Sequence, residues 1–513
     1  MRKYEFGKRL RLGLFGTSHG PFVGASVSGL PAGASVDIGS IKAFMARRSP
    51  GGAYSSSRKE DDEFIIHSGL DGDTVSGEEL LVTFPNKNVK REDYDALKHI
   101  PRPSHADLGA YLKYGIDYDM SGGGPFSARL TAGLCFAGAI AMQLLKKEGC
   151  SVAAHIYSIG EISDRPFDRL APQIDAIDPV FPVVDVKRGE DMKKAISEAS
   201  EAGDSLGCVI ECAVTGFPAG VGGALFEGIE SRLSEMLFAI PAVKGVDFGG
   251  GFELSSKKGS DSNDEMYLEN GRICLYSNNS GGISGGISTC APIIMRVFFK
   301  PVSSIACEQR SIDMAEGKNV KIKISGRHDP CVGARAVPIV EAAAAFALYD
   351  MLLDSRRNIY LIGMPGSGKT TVGKTLAGRM GRAFFDSDEI IVEENGMSIE
   401  RIFSEKGEEA FRDMEEKVIT GLSAMENAVI ATGGGSILRE RNRRKMKETG
   451  VCIWLQRDLG KLSTEGRPLS KSLDELKAMY RTRMHVYELM ADLAEENTDT
   501  PEKCADRIIG DLL

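Results

Sequence analysis

The sequence predicts two domains of different class: an α+β domain over residues 1–353, then an α/β domain with a parallel sheet, a P-loop fold, over 354–513. Three observations carry this. A Gly-rich phosphate loop, Gly363-Met-Pro-Gly-Ser-Gly368-Lys369-Thr370, follows a short apolar run at 358–362. After it, apolar runs at 383–385, 428–431 and 451–455 alternate with charged helical segments, the rhythm of strands crossing over through helices. Before residue 350, glycine-punctuated β patterns dominate, with a few apolar helices such as 131–145.

The boundary comes from composition. Residues 341–353 form a strong Ala-rich helix pattern, and a polar turn, Asp354-Ser355-Arg356-Arg357, separates it from the strand at 358. The chain has 513 residues, which suits two or three domains, and such a length buries a large core without staples. A formal charge of −9 argues against a general binder of nucleic acid or anionic membrane. The N-terminus lacks the apolar core of a signal peptide, and no stretch is read as approaching the roughly 18 apolar residues of a membrane helix. A cytoplasmic location is expected. The 10 cysteines contain no Cys-x-x-Cys pair and read as reduced thiols. The 59 glycines cluster at 16–33, 121–133, 216–223, 245–251 and 281–286, where backbone must turn sharply or approach a ligand.

The loop at 363–370 has a direct chemical reading. Gly366, Ser367 and Gly368 let backbone N–H groups face a phosphate, and the following helix adds its positive end. Lys369 brings charge to the β and γ phosphates of ATP. Thr370 brings a hydroxyl to Mg2+, and Thr371 extends the nucleotide-binding run. Downstream stand Asp386-Ser-Asp388, read as a strand end with both carboxylates on one face, then Phe411-Arg412, Gly433-Gly434-Gly435, Gly466-Arg467-Pro468-Leu469 and Arg483-x-x-x-Tyr487. Arginines suit a carboxylate-bearing substrate, and carboxylates suit its hydroxyls.

In order and spacing, this set resembles shikimate kinase over 358–513. The resemblance implies that Asp386 joins Thr370 in the Mg2+ shell. Asp388 would bind the shikimate hydroxyls and act as base. Arg412 and Arg483 would hold the substrate carboxylate, Gly434 would let backbone approach the ring, and Arg467 would balance charge on the transferring phosphate. The segment from Arg457 to Arg467 is short for this family's lid.

The first half carries neither a phosphate loop nor a dinucleotide fingerprint. Its chemistry gathers in Gly16-Thr-Ser18-His19-Gly20, Arg102-Pro-Ser-His105-Ala-Asp107 and Gly326-Arg327-His328-Asp329-Pro330, with cations at Arg47, Arg48, Arg129 and Lys300. Histidines in Gly/Pro loops beside arginines point to an anionic substrate and proton transfer. Together with Ser127-Ala128-Arg129, Gly203-Asp204-Ser205, 240–245, 279–287 and Lys300-Pro301, these motifs resemble chorismate synthase over about 1–350. That family eliminates phosphate and a proton from 5-enolpyruvylshikimate 3-phosphate and needs reduced FMN. NADPH is the candidate reductant. The resemblance implies that His19 protonates the reduced flavin or its developing anion. His105 would assist the leaving phosphate, and Asp329 would help the flavin accept the substrate proton. Arg48 and Arg129 would bind substrate or flavin phosphates. Ser127, Gly285, Lys300, Pro301, Val302, Ser303, Ser304 and Arg327 would hold FMN. It also implies a homo-oligomer, a tetramer.

Two departures stand out. Pro125-Phe126-Ser127 replaces the family's Arg-Ser-Ser, and a flavin-proximal arginine is missing around Tyr54. They leave an alternative in which the kinase half works and the first half is a degenerate, oligomerising scaffold.

Overall fold

The computed structural model describes residues 3–49, 62–86, 98–324, 329–462 and 473–512. Tyr54, Arg327, Arg467 and residues 463–466 of the lid segment lie outside the described residues. The chain divides into two compact units, Met1–Leu352 and Leu353–Leu513.

The first unit is built on two antiparallel five-stranded sheets. One runs Tyr4–Phe6, Arg11–Gly16, Phe22–Ser28, Leu80–Pro85, Ile65–Ser68 in spatial order. The other runs Val243–Phe248, Ile293–Phe299, Cys208–Thr215, Ser151–Ile159, Ile162–Ser163. Strand alternation sets the first sheet's buried face: Leu80, Val82 and Phe84 are buried while Leu81 and Thr83 are only half-buried. Two apolar helices, Thr131–Lys147 and Gly333–Ser355, fill the core. Small residues let them approach. A Cβ on Gly133 would touch Ala25 and Leu14 of the first sheet at 2.9 Å, and a Cβ on Gly138 would collide with Ala342 of the second helix. The second helix reaches the second sheet through buried Glu341, which accepts a hydrogen bond from Ala154 N at 2.9 Å.

These helices correct one sequence expectation. Ala128–Lys147 and Gly333–Ser355 are long and apolar enough to cross a membrane by length and composition. Both are mostly buried in the protein itself, and their alanines and glycines serve helix packing.

The second unit is a parallel sheet. Its order is Ala383–Asp386, Ala428–Ala431, Asn358–Ile362, Gly450–Gln456, Leu493–Glu496, with this unit's first strand in the middle. The central strand is wholly buried, as a strand covered by helices on both faces must be. The connections leave it in opposite directions, opening a crevice at the carboxyl ends of the strands. Trp454 on the neighbouring strand stacks on Tyr487 of helix Leu473–Met490, with ring centroids 5.7 Å apart and 15° between planes.

Candidate active sites

In the second unit the central strand runs into Gly363, Gly366 and Gly368, all at positive φ (147°, 82° and 95°). A side chain at 368 would also strike Asn497, whose amide donates to Ser367 O at 2.7 Å. Lys369 opens helix Lys369–Met380, and its buried ammonium donates to Gly363 O and Met364 O, both at 2.9 Å. The loop's own carbonyls thus hold the cation where a phosphate would meet it. Ser367 Oγ is buried with no hydrogen-bond partner among the described residues, and Thr371 is exposed on the first turn. Phosphate oxygens of a nucleotide fit this donor set.

Thr370 Oγ1 donates to Asp386 Oδ2 at 2.6 Å, so the two expected Mg2+ ligands are adjacent. The strand reading of Asp388 is corrected. The strand ends at Asp386, which caps helix Ser387–Asn395 by accepting from Asp388 N at 2.9 Å, and Asp388 lies in the helix's first turn. An Asp followed by a helix-forming run is a cap, because its side chain satisfies the free N–H groups of the first turn.

The stretch 433–435 joins the remaining groups. A Cβ on Gly433 would lie 2.5 Å from Glu415 Oε1 and 2.6 Å from Asp388 Oδ1, and one on Gly435 would enter the Arg412 guanidinium. Arg412 pairs with Glu415 at 2.8 Å and Glu408 at 3.1 Å. Gly434 O accepts from Arg483 at 3.0 Å and from Tyr487 Oη at 2.7 Å. Burial, followed by the charges of Asp386 and Glu415, pushes the Asp388 carboxyl up to about 7 against the pull of Lys369 and Arg412. Such a carboxyl is poised to exchange a proton near neutrality. Glu415 and Tyr487 were assigned no role from sequence. Glu415 follows Arg412 by three residues, and that helical spacing was the available signal.

In the first unit two histidines flank one glycine step. A Cβ on Gly122 would run into the His19 ring, and one on Gly123 would lie 3.5 Å from His105 Nε2 and 3.6 Å from Ser127 Cβ. Gly122 and Gly123 have φ of 59° and 88°. Ser18 Oγ lies 3.2 Å from His19 Nδ1 and donates to Gly122 O at 2.9 Å. His105 Nδ1 is 2.6 Å from Asp107 Oδ1. Arg102 Nη2 is 3.0 Å from the same nitrogen, but so short an approach to a carboxylate requires the proton on Nδ1. Nε2 then faces Gly123. Burial opposes ionisation of Asp107, yet hydrogen bonds from Arg102 and His105 hold its carboxyl well below the usual range.

Segment 300–304 packs beside this loop. Lys300 Nζ donates to Ser303 Oγ at 2.5 Å, and Ser303 Oγ donates to Ser104 O at 2.9 Å. Ser304 is buried 3.4 Å from Arg102 Nη1. Val302 O accepts from Ser205 Oγ at 2.8 Å, and a Cβ on Gly207 would lie 3.2 Å from Pro301. Burial, then the Lys244 charge, lowers the Lys300 ammonium below its ordinary value. Asp329 pairs with Arg335 at 2.5 Å, and Arg335 Nε donates to Arg48 O at 3.0 Å. Arg48 and Arg129 both pair with Asp62. Gly285, at φ 62°, tips a hairpin that packs against 222–228 with open space above it. The glycine cradle and the hydroxyl and ammonium donors of 300–304 fit a planar, phosphate-bearing group such as FMN. Arg102, Asp107, Arg335 and Asp62 have no role legible in the sequence alone. The first two lie inside the His105 motif and Arg335 closes the stretch 326–335, whereas Asp62 carries no local signature.

Residues 10–353 match the family model described as chorismate synthase. The chain belongs to the chorismate synthase family. The chorismate synthase of Lancefieldella parvula is 39% identical over 367 residues, covering 69% of this chain and 97% of that protein. That of Pyrococcus abyssi is 40% identical over 350 residues, covering 68% and 98%. A crystal structure of chorismate synthase aligns with a TM-score of 0.52 at 25% identity, over 68% of this chain and 93% of that one. Residues 365–513 match the shikimate kinase model. A solved shikimate kinase from Acinetobacter baumannii, in complex with shikimate, is 32% identical over 31% of this chain and 95% of that one, with a TM-score of 0.30. A chorismate synthase domain and a shikimate kinase domain thus follow one another in a bifunctional shikimate-pathway enzyme, a lyase and a phosphotransferase. The two families in general use reduced FMN and ATP with Mg2+. The scaffold alternative is not favoured.

Proposed function

We propose that residues 1–353 convert 5-enolpyruvylshikimate 3-phosphate to chorismate with reduced FMN, and that residues 354–513 phosphorylate shikimate with ATP and Mg2+. The first reading is carried by the two histidines on either side of the Gly122–Gly123 step. His105, held by Asp107 at Nδ1, presents Nε2 to the leaving phosphate, and His19 presents its ring across the step. Asp329 is the proton-handling carboxylate. Arg48 and Arg129 grip ligand phosphates. Ser127, Gly285, the 300–304 segment and Arg327 hold the flavin, which supplies the reduced ring the elimination requires.

In the kinase half Lys369 and the 366–371 backbone hold the nucleotide, with Arg467 at the transferring phosphate. Thr370 and Asp386 hold Mg2+. Asp388 accepts the hydroxyl proton, and Arg412 and Arg483, turned by Glu415 and Gly434 O, take the carboxylate.

The enzyme is cytoplasmic, in keeping with ten free cysteines, and NADPH serves as flavin reductant. It self-associates as a tetramer. Met266, Leu268 and Ile273 on the hairpin Met266–Glu269/Arg272–Leu275 stand 60–75% exposed on one face, an apolar surface suited to a second copy.

The test is anaerobic chorismate formation with FMN and dithionite supplied. Turnover lost in His105→Ala, with shikimate phosphorylation by the same chain intact, supports both assignments. Wild-type chain that phosphorylates shikimate but makes no chorismate overturns the first.

A further inference from the structure

We infer that Asp62 is a positioning residue of the elimination site, one buried carboxylate that sets the Arg48 and Arg129 guanidiniums side by side. The inference rests on the proposal that these arginines grip phosphate-bearing ligands. They come from separate elements, Arg48 from the last turn of helix Ile38–Arg48 and Arg129 from a single 3-10 turn, Ala128–Leu130. Asp62, 2% exposed at its side chain, is their shared partner. Its carboxylate takes Arg48 Nε at 2.9 Å and Nη2 at 2.6 Å, a bidentate grip, and also receives Arg129 Nη1. Ser49 Oγ adds a bond to Asp62 at 3.1 Å.

Each guanidinium is steadied on another edge. Thr131 Oγ1 lies 3.3 Å from Arg48 Nη1, and Asn86 Oδ1 accepts from Arg129 Nε at 3.0 Å. Asn86 Nδ2 in turn donates to Gly20 O at 2.8 Å, which ties Arg129 to the His19 loop. Burial opposes ionisation of Asp62, but the Arg48 charge and hydrogen bonds, then those of Arg129, hold its carboxyl below the ordinary range.

Two buried cations repel, and an arginine gives up rotamer freedom whenever it binds an anion. A shared carboxylate offsets the repulsion and fixes both forks before ligand arrives, so less entropy is lost on binding. Asparagine at 62 keeps the shape, removes the charge and turns an amide N–H2 toward a guanidinium. Glutamate keeps the charge but displaces it by a methylene.

The experiment uses the full chain with oxidised FMN, which supports no turnover, and measures the Kd of 5-enolpyruvylshikimate 3-phosphate calorimetrically. Asp62→Asn is expected to weaken binding ~10–100-fold, and Asp62→Glu to recover part of that. In an Arg129→Lys background Asp62→Asn should cost much less than it does alone, because the two act as a unit. A Kd within about 2-fold of wild type for Asp62→Asn, or effects that multiply independently, overturns the inference. If Arg48→Lys and Arg129→Lys both leave the Kd unchanged, the phosphate-binding assignment itself fails, and the inference with it. Should Asp62→Asn lose the fold of its half, Asp62→Glu decides, and an unchanged Kd there overturns the inference.

Discussion

The kinase half and the synthase half both bury the charged groups proposed for their chemistry, but they assemble them by opposite routes. In the kinase half one parallel sheet delivers most of the site. The phosphate loop, the Asp386–Asp388 cap and the 433–435 stretch all leave carboxyl ends of adjacent strands. In the synthase half no element supplies both histidines. His19 comes from a connection between two strands, His105 from the loop before helix Asp107–Tyr114, Ser127 from the junction of two 3-10 turns and Lys300 from a strand end. Neighbouring strand ends converge by geometry, whereas these loops are held together by specific ties: Asp62 between Arg48 and Arg129, Arg335 between Asp329 and Arg48 O, and Ser18 to the carbonyls of Gly122 and Gly124. The first kind of site is expected to tolerate change in its supports better than the second.

Four expected outcomes probe this contrast. The largest effect is reciprocal silencing. His105→Ala should cut chorismate formation ~10²–10⁴-fold and Asp388→Asn should cut shikimate phosphorylation by a similar factor, each leaving the other reaction unchanged. Both rates are measured on one preparation. Loss of both reactions in either variant would show that the halves do not work separately.

Next comes Gly122→Ala. The new methyl group would strike the His19 ring at a φ of 59°, so chorismate formation should fall about 100-fold with normal kinase activity. Wild-type turnover would mean that His19 and the glycine step do not form the site.

The third is thermodynamic. Asp388 has a folded-state pKa raised from 3.8 to about 7, so its contribution is favourable at acid pH and is lost as pH rises through that window. Asp388→Asn removes the penalty. The kinase half of the variant should be more stable than wild type at pH 8, by about 1.4 kcal/mol for every pH unit that separates the folded and unfolded pKa, and equal to it near pH 4. Thermal melts at the two pH values check this. Phosphorylation by wild type should likewise fall as pH drops below about 7.

The smallest is Tyr487→Phe. It removes one of two donors to Gly434 O, costing about 1 kcal/mol of stability and a few-fold in the KM for shikimate. A kcat loss with unchanged KM would point away from a substrate-positioning role for this stretch.

The same contrast explains how much of each half is legible in its sequence. The parallel sheet and the phosphate loop follow from local periodicity and a contiguous motif, and four of its five strands were expected within a residue or so at each end. The strand Leu493–Glu496 does not stand out in the sequence, since half of its four residues are glutamates, which suit an edge strand rather than an apolar run. The Asp-x-Asp spacing fits period two and so predicts a strand through Asp388. The capping chemistry of Asp386 prevails, since a helix start must satisfy free N–H groups. In the first half the motifs mark His19 and His105, but the order of the two antiparallel sheets is not legible, because pairings such as Phe22 with Pro85 and Cys208 with Phe299 join strands far apart in sequence. Asp62 was unreadable for the same reason: its meaning lies in two arginines from other elements.

The stacking of Trp454 on Tyr487 has an optical consequence. It is the only tryptophan in the chain, and its stacking partner bonds Gly434 O beside Arg483. Light absorbed selectively by indole therefore interrogates the kinase half alone. Emission from wild-type enzyme should shift when shikimate is titrated in and stay constant when the enolpyruvyl ester is added, giving a label-free gauge of one site inside a two-site protein.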